Sequence, residues 1–400
     1  MQGIASYPKI RVTAGGRGVC AHVGSRLLAD VAAAVGVAEA LDGAVGGGRQ
    51  RRSAHAPGRV LADLAVMLAD GGVTIGDLAV LRDQPGVFGP VASTATAWRV
   101  LASVGEPVLE EVKVARAAAR ERAWLLRGEA GRQLSTLRCA GTVVPGLVID
   151  VDATLVTCHS EKQGAAPTFK HGFGYHPLLA WLDNTGEALA GMLRPGNANA
   201  NTAADHIQVT DEALAQIPDE YRHGAPILIR ADGAGATKTW LAHLRRLREQ
   251  RGLDVSFSVG FSLTNQLKDA IGLLPETAWT VAVDAAGEPR PIDESGLPVA
   301  QVAELTGLLP GLTDAGTACG CWSAGNDRIR AHRSACSKPT TAGATKPWPP
   351  TPRSDSSRSW RPGTAPTPGS RTTSAPLNRP GSVGSRPGSS PSMRSGCSWR

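Results

Sequence analysis

Two aspartates stand in the apolar run Leu147–Thr154, which constrains the fold more than any other segment. The run reads Leu-Val-Ile-Asp-Val-Asp-Ala-Thr, and its β-branched residues predict a buried strand. Side chains alternate between the two faces of a strand, so Asp150 and Asp152 share a face. Burying a carboxylate is costly unless a positive group pairs with it. The run therefore predicts a strand whose carboxylates meet a cation.

A second apolar run, Ile227–Ala231, ends directly before Asp232. Carboxylates that follow the strands of an α/β sheet point into its usual functional crevice. Their oxygens are preferred ligands of Mg²⁺ and Mn²⁺, and a pair of such ions can hold the attacking and leaving oxygens of a phosphate displacement. Asp232-Gly233 is also a common turn dipeptide, so a structural role for Asp232 stays open.

The order of predicted elements indicates an α/β fold with a mixed sheet. Strand patterns at 143–156, 175–182 and 188–193 precede a helix, a strand, a helix and two further strands. The turn Asp183–Gly186 joins the second and third strands as a hairpin, so strand directions are mixed. We assign this domain to residues 140–312.

Helical spacing dominates the preceding region, 57–130. Three short helices separated by glycines suit a helix-turn-helix module, whose recognition helix would place Thr94, Thr96 and Arg99 against DNA bases. An ordinary helical bundle has the same pattern and remains an alternative. The charged helix at 108–127 is predicted to be a solvated connector. Residues 1–56 form the N-terminal segment, which is rich in Gly and Ala and for which a helix is predicted around Gly24–Leu41.

The tail from 313 to 400 has a different composition. It holds 13 Lys and Arg against 3 acidic residues, and a single Leu, a single Ile and a single Val. Such a segment cannot bury enough apolar area to offset chain entropy. The sequence therefore predicts a disordered basic tail, which accounts for the net charge of +7.

Four blocks, in order, resemble the DDE transposases of bacterial insertion sequences, in particular insertion-sequence family thirteen-eighty. The blocks are Val148–Val156, Gly174–Leu179, Leu193–Asn197 and Arg230–Thr237. The resemblance implies a ribonuclease-H-like catalytic domain preceded by a helical DNA-binding region. It also implies Mg²⁺- or Mn²⁺-dependent cleavage and joining of double-stranded DNA, at element ends and target, by a homo-oligomer on DNA.

The resemblance also implies roles for individual residues. Asp152 would be the first catalytic acid, with Asp150 as its rival, and Asp232 the second. Asp152 and Asp232 would hold the metal. Arg194 and Asn197 match positions that support DNA or the active site.

The family's third acid, a glutamate on a helix after the last strand, has no counterpart in this sequence. No Glu follows Glu304, which comes too early in the chain for that role. The change of composition after about 310 is typical of GC-rich DNA translated in a shifted frame, so we hypothesise a frameshift that leaves the catalytic domain incomplete. A genuine basic tail that binds DNA non-specifically is the alternative. Without a third acid, the chain is predicted to be inactive.

Two other functions fit parts of the sequence. Val148–Leu155 matches the first motif of haloacid-dehalogenase-like phosphohydrolases, with Asp150 as nucleophile and Asp152 as general acid/base. The chain could also act only by binding DNA through its helical region, as a truncated transposase. Neither an apolar run long enough for a membrane span nor a signal-peptide pattern is found, so a cytoplasmic location without a membrane partner is expected.

Overall fold

The computed structural model describes residues 10–11, 20–47, 54–260, 264–284, 286–292, 296, 298, 300–304, 322–323 and 328–334. Within these residues, no helix has both the length and the apolar character needed to cross a membrane.

Helices make up the N-terminal part of the chain, as predicted. Their bounds are α1 Arg26–Ala34, α2 Val37–Gly46, α3 Pro57–Ala69, α4 Ala79–Arg82, α5 Pro85–Phe88, α6 Thr94–Ala102 and α7 Glu106–Glu129, with short 3-10 turns at Val23–Ser25 and Ile75–Leu78. Proline is tolerated in the first turn of a helix, where its missing N–H has no partner to lose, and Pro57 begins α3 there.

One apolar core holds these short helices together. It joins Ala29 of α1 to Val60 and Leu64 of α3 and to Phe88 and Ala97. The N-terminal segment 1–56 therefore contributes α1 to the same core. The buried residues of α1 are Ala29, which enters this core, and Arg26, whose guanidinium donates to the Val87 oxygen at 2.6 Å.

The prediction that α7 is a solvated connector is wrong. Trp124 of α7 is 5% exposed and belongs to the core of the sheet. The Arg116 and Arg120 guanidinium groups donate hydrogen bonds to the main-chain oxygen of Ala188, each at 2.9 Å. The charged side chains thus occupy acceptors of the strand at the sheet edge, which would otherwise be open to another strand.

A mixed sheet forms the second part of the fold. The strands that the structure describes are β1 Leu137–Cys139, β2 Thr142–Val144, β3 Leu147–Ala153, β4 Val156–Thr157, β5 Ala166–Pro167, β6 Phe173–Tyr175, β7 Leu178–Leu182, β8 Glu187–Met192, β9 Ile227–Ala231, β10 Val255–Val259, β11 Thr280–Val281, β12 Ala300–Glu304, β13 Trp322–Ser323 and β14 Arg328–Ser334. The large sheet has the order β11-β12-β14-β13-β10-β9-β3-β7-β8.

The centre of this sheet confirms the predicted mixed directions. Strand β3 pairs antiparallel with β7 and parallel with β9, which in turn pairs parallel with β10. Helices α8 Ala203–Ala215 and α9 Asp219–Gly224 precede β9, and α10 Lys238–Arg251 lies between β9 and β10. Helix α11 Asn265–Gly272 follows β10, and two 3-10 turns lie at Gly233–Gly235 and Glu276–Ala278. Helix α8 packs on β7 and β8, and α10 packs on β10.

Two strands lie in the segment for which the sequence predicts disorder. Strand β14 pairs with β12 over five residues, and β13 pairs with β10 and β14. Backbone pairing needs no long apolar side chains, so these short strands are compatible with the composition of the tail. The rest of 313–400 lies outside the described residues.

Gly146 sets the start of β3 against β9. Its φ is +73°, and a Cβ there would lie 2.0 Å from the carbonyl oxygen of Pro226, which accepts the Leu147 N–H at 2.8 Å. We expect Gly146→Ala to lower the free energy of unfolding by about 3 kcal/mol, since it adds overpacking to the left-handed penalty. Urea denaturation measures the change.

The matched control is Gly186→Ala. Gly186 has φ +72° but nothing within 4 Å of the added carbon, so only the conformational penalty of roughly 1–2 kcal/mol applies. Equal losses in the two variants would show that the approach of Gly146 to Pro226 has no energetic weight.

Candidate two-aspartate site

Asp152 and Asp232 lie level with each other on neighbouring parallel strands. The register pairs Val151 of β3 with Ala231 of β9, so the next residue of each strand is an aspartate. Adjacent strands are about 4.8 Å apart. Both aspartates are exposed at the C-terminal ends of these two strands. The structure therefore brings together the two acids that the sequence singled out.

Each of these carboxylates keeps an oxygen available. Oδ1 of Asp152 accepts the Ala153 N–H at 2.8 Å, and Oδ1 of Asp232 accepts the Ala234 N–H at 2.9 Å. Asp232 thus does make the turn contact expected of an Asp-Gly pair. Within the described part of the chain, neither carboxylate forms an ion pair with a basic side chain. Two carboxylates with free oxygens are a donor set that fits a hard divalent cation.

The electrostatics of Asp152 point the same way. Although the residue is exposed overall, partial removal of its carboxyl group from water is the main cause that raises its pKa. The charges of Asp232 and Asp150 raise the pKa further, while the Ala153 N–H and His176 lower it. Two like charges at one edge favour a shared cation.

Asp150 has a different environment. The Arg230 guanidinium donates to both of its oxygens, from Nε and Nη2 at 2.6 Å each, and Nη2 also donates to Asp183 at 2.7 Å. Burial opposes the charge of Arg230, but the bonds and charges of Asp150 and Asp183 outweigh it and raise its pKa. The cation that pairs with Asp150 is therefore an arginine of the adjacent strand.

Two buried histidines flank the aspartates. Nδ1 of His176 lies 3.1 Å from the Ala198 oxygen, and Nδ1 of His206 lies 3.0 Å from the Thr202 oxygen. Burial is the main cause that lowers the pKa of His206, and the charge of Arg194 lowers it further. The hydrogen bond with Thr202 and the charges of Asp205 and Asp232 raise this pKa but do not cancel the decrease. His206 is therefore neutral near pH 7.

Arg194 does not reach the surface. It is 4% exposed, and its guanidinium donates to the His176 oxygen at 2.9 Å, the Asn199 oxygen at 3.2 Å and the Asp205 carboxylate at 2.9 Å. Of the two roles expected for Arg194, support of DNA or of the active site, this burial favours the second, because its charge is used inside the protein to hold the loop against α8. Asn197, in the same loop, is exposed.

The predicted recognition residues lie on α6. Ser93 caps this helix, because its side chain accepts the Thr96 N–H. Thr94 and Arg99 are exposed. The Arg99 guanidinium donates to Thr96 Oγ1 at 3.2 Å and to the Ala95 oxygen at 3.1 Å, so Thr96 orients Arg99.

Glu304, the last glutamate of the chain, is remote from the two aspartates in the sheet. It ends β12, which β14, β13 and β10 separate from β9. Over the described ranges, no three His, Cys, Asp or Glu side chains gather as a metal-binding group.

Sequence reasoning missed Arg230 and His206. Arg230 could have been found, since a charged residue between Ile229 and Ala231 on a buried strand needs an opposite charge nearby. His206 carried no such signal, because its closeness to Asp232 arises from the packing of α8 against Trp240 of α10, whose ring lies 5.3 Å from the His206 ring.

Comparisons with known proteins indicate the family of the chain. The family described as transposase DDE domain group 1 matches residues 2–293. No curated protein matches the chain. Among solved structures, the cryo-EM structure of the piggyBac transposase synaptic complex with hairpin DNA is similar at 12% identity and a TM-score of 0.30, over 82% of this chain and 63% of that one. The chain thus spans less than two thirds of that protein's length, and such a TM-score does not establish a shared fold.

Proposed function

The chain belongs to the transposase DDE domain group 1 family, and from this membership we propose that it binds double-stranded DNA and holds Mg²⁺ or Mn²⁺ between Asp152 and Asp232. The observation that carries the proposal is the level placement of these aspartates after β3 and β9. Of the two candidates for first acid, we favour Asp152, because Arg230 engages both oxygens of Asp150.

The arrangement of strands supports a ribonuclease-H-like catalytic domain. An antiparallel hairpin, β7 and β8, lies on one side of β3, and the parallel strands β9 and β10 lie on the other. When bound, the cation would polarise a phosphate oxygen of DNA. The protein contributes the positions of the ligands, since the Arg230 bridge ties β9 to Asp150 of β3.

We further propose that this chain is deficient in DNA cleavage and strand transfer. The support is the sequence, which has no Glu after Glu304. A cleavage assay tests this deficiency. Its substrate is a supercoiled plasmid that carries the DNA selected by the chain from a random duplex library, and Mg²⁺ or Mn²⁺ is added. We expect binding without cleavage, and robust nicking by this chain would refute the deficiency. A shifted reading frame after about 310 would explain it, and the other frames should then encode a helix with a Glu.

The helical region is proposed to bind DNA through α6, with Thr94, Thr96 and Arg99 facing it. We expect Arg99→Ala to weaken binding of the selected duplex about tenfold, because an arginine at a base edge contributes roughly 1–3 kcal/mol. Fluorescence anisotropy at fixed salt gives the affinity. Its control is Arg138→Ala, at an exposed arginine of β1; if only that change weakened binding, α6 would not be the recognition helix.

The other readings of the sequence are less well supported. A haloacid-dehalogenase-like reaction would use Asp150 as nucleophile, but Arg230 engages both of its oxygens and the family match is to a transposase. A chain that only binds DNA would show the same binding without metal affinity. Because transposition joins two DNA ends to a target, we also propose that copies of the chain assemble on DNA. We further propose that an insertion-sequence element of family thirteen-eighty encodes the protein and that its location is cytoplasmic.

A further inference from the structure

A tight turn joins β5 to β6, and one of its side chains, Phe169, contacts His176. The Thr168 N–H donates to the Gly172 oxygen at 2.8 Å, and the His171 N–H donates to the Thr168 oxygen at 3.0 Å. The Gly172 N–H also donates to Thr168 Oγ1 at 3.1 Å. These bonds fix the tip, which consists of Phe169, Lys170 and His171. His171 has φ +60°, a conformation that non-glycine residues rarely adopt.

The tip presents an aromatic ring and a positive charge to solvent. Phe169 is 66% exposed, although exposure of so large an apolar side chain does not stabilise a monomer. The Lys170 ammonium lies 5.6 Å from the centre of the Phe169 ring. An exposed aromatic ring beside a cation matches a ligand that has both a flat apolar face and a negative charge.

Contacts at the base of the turn lead to Asp152. The Phe169 ring lies 5.6 Å from the ring of His176. His176 follows Tyr175, which pairs with Val156 just after β3. The Thr154 N–H donates to the oxygen of Pro177 at 3.1 Å, so the segment 175–177 runs along the chain that leaves Asp152.

We propose that Phe169 and Lys170 form a stacking site for an unpaired DNA base next to the nucleotide whose phosphate meets Asp152 and Asp232. The inference rests on the proposed function and adds a base-binding site to it. Bases inside a duplex are already stacked on one another, so an exposed ring offers most to a base that has left the helix. Lys170 would contact the adjoining phosphate, and stacking on Phe169 would be tolerant of sequence.

The test measures the binding of a short single-stranded oligothymidylate with one central 2-aminopurine. The binding of a blunt duplex is measured separately. The full chain should quench 2-aminopurine. Phe169→Ala and Phe169→Leu should both abolish quenching and weaken binding of the single strand about tenfold, equivalent to roughly 1.4 kcal/mol. Phe169→Trp should restore both, which an apolar contact alone would not require. Leu273→Ala, at another exposed apolar residue (85% exposed), should behave as the parent chain.

The outcomes separate this inference from the proposed function. If the parent chain binds the duplex and Phe169→Leu still quenches the single strand, the stacking site is wrong and DNA binding stands. If the single strand is bound through Phe169 but the duplex is not, stacking stands and duplex binding fails. If neither DNA is bound, both proposals are overturned.

Discussion

Asp152→Asn and Asp232→Asn should each reduce the affinity for Mn²⁺ by at least about 100-fold, because even groups outside the first coordination shell contribute about 10–100-fold. Each substitution removes one anionic ligand from a pair that forms no ion pair within the described residues. Asp232→Asn also removes one of the like charges that raise the pKa of Asp152. The electron paramagnetic resonance signal of free Mn²⁺, titrated against the protein, reports the affinity.

Two further aspartates serve as controls for this measurement. Asp219, whose side chain is 82% exposed and pairs with Arg222 on α9, should tolerate Asn without effect on Mn²⁺. Asp150→Asn should also leave the Mn²⁺ affinity within about threefold, since the cation partner of Asp150 is Arg230 and not a metal. Loss of Mn²⁺ binding in folded Asp150→Asn, with retention in Asp152→Asn, would reverse the assignment of the first acid.

The positions of Asp152 and Asp232 after two strands could be predicted from the sequence because the signals for them are local. Alternation along Leu147–Ala153 and the end of Ile227–Ala231 suffice to place acids on two strands, and the turn Asp183–Gly186 indicates which strand pairs next. The sequence could not say which of Asp150 and Asp152 faces an arginine, since Arg230 comes from a strand 80 residues along the chain.

Other features could not be predicted for the same physical reason. The charge pattern of α7 favours solvent exposure, yet Arg120 pairs with Glu187 at 2.7 Å across 67 residues, and this partner cannot be recognised from local composition. The resemblance left open whether Arg194 supports DNA or the active site. Its partner Asp205 lies only 11 residues away, but the burial that makes the pair necessary depends on how α8 packs.

Arg230→Met should lower the free energy of unfolding by about 2–3 kcal/mol, measured by urea denaturation. Removing one partner of a fully buried pair costs roughly 3–5 kcal/mol, because the remaining charge is left without compensation. The side chains here are partly exposed, at 23% for Arg230, 35% for Asp150 and 15% for Asp183, so the lower part of that range, or slightly less, applies.

A surface pair and a double variant make this result interpretable. Arg222→Met removes an arginine whose partner Asp219 is largely exposed, and it should cost less than about 1 kcal/mol. Asp150→Asn added to Arg230→Met should recover part of the loss, because it removes a carboxylate that no longer has a partner. If the losses from Arg230→Met and Asp150→Asn simply add, the two residues do not act as a unit. Asp150 would then again be a candidate metal ligand. The level placement of Asp152 and Asp232 would in that case have to come from the backbone pairing of β3 with β9 and not from the Arg230 bridge.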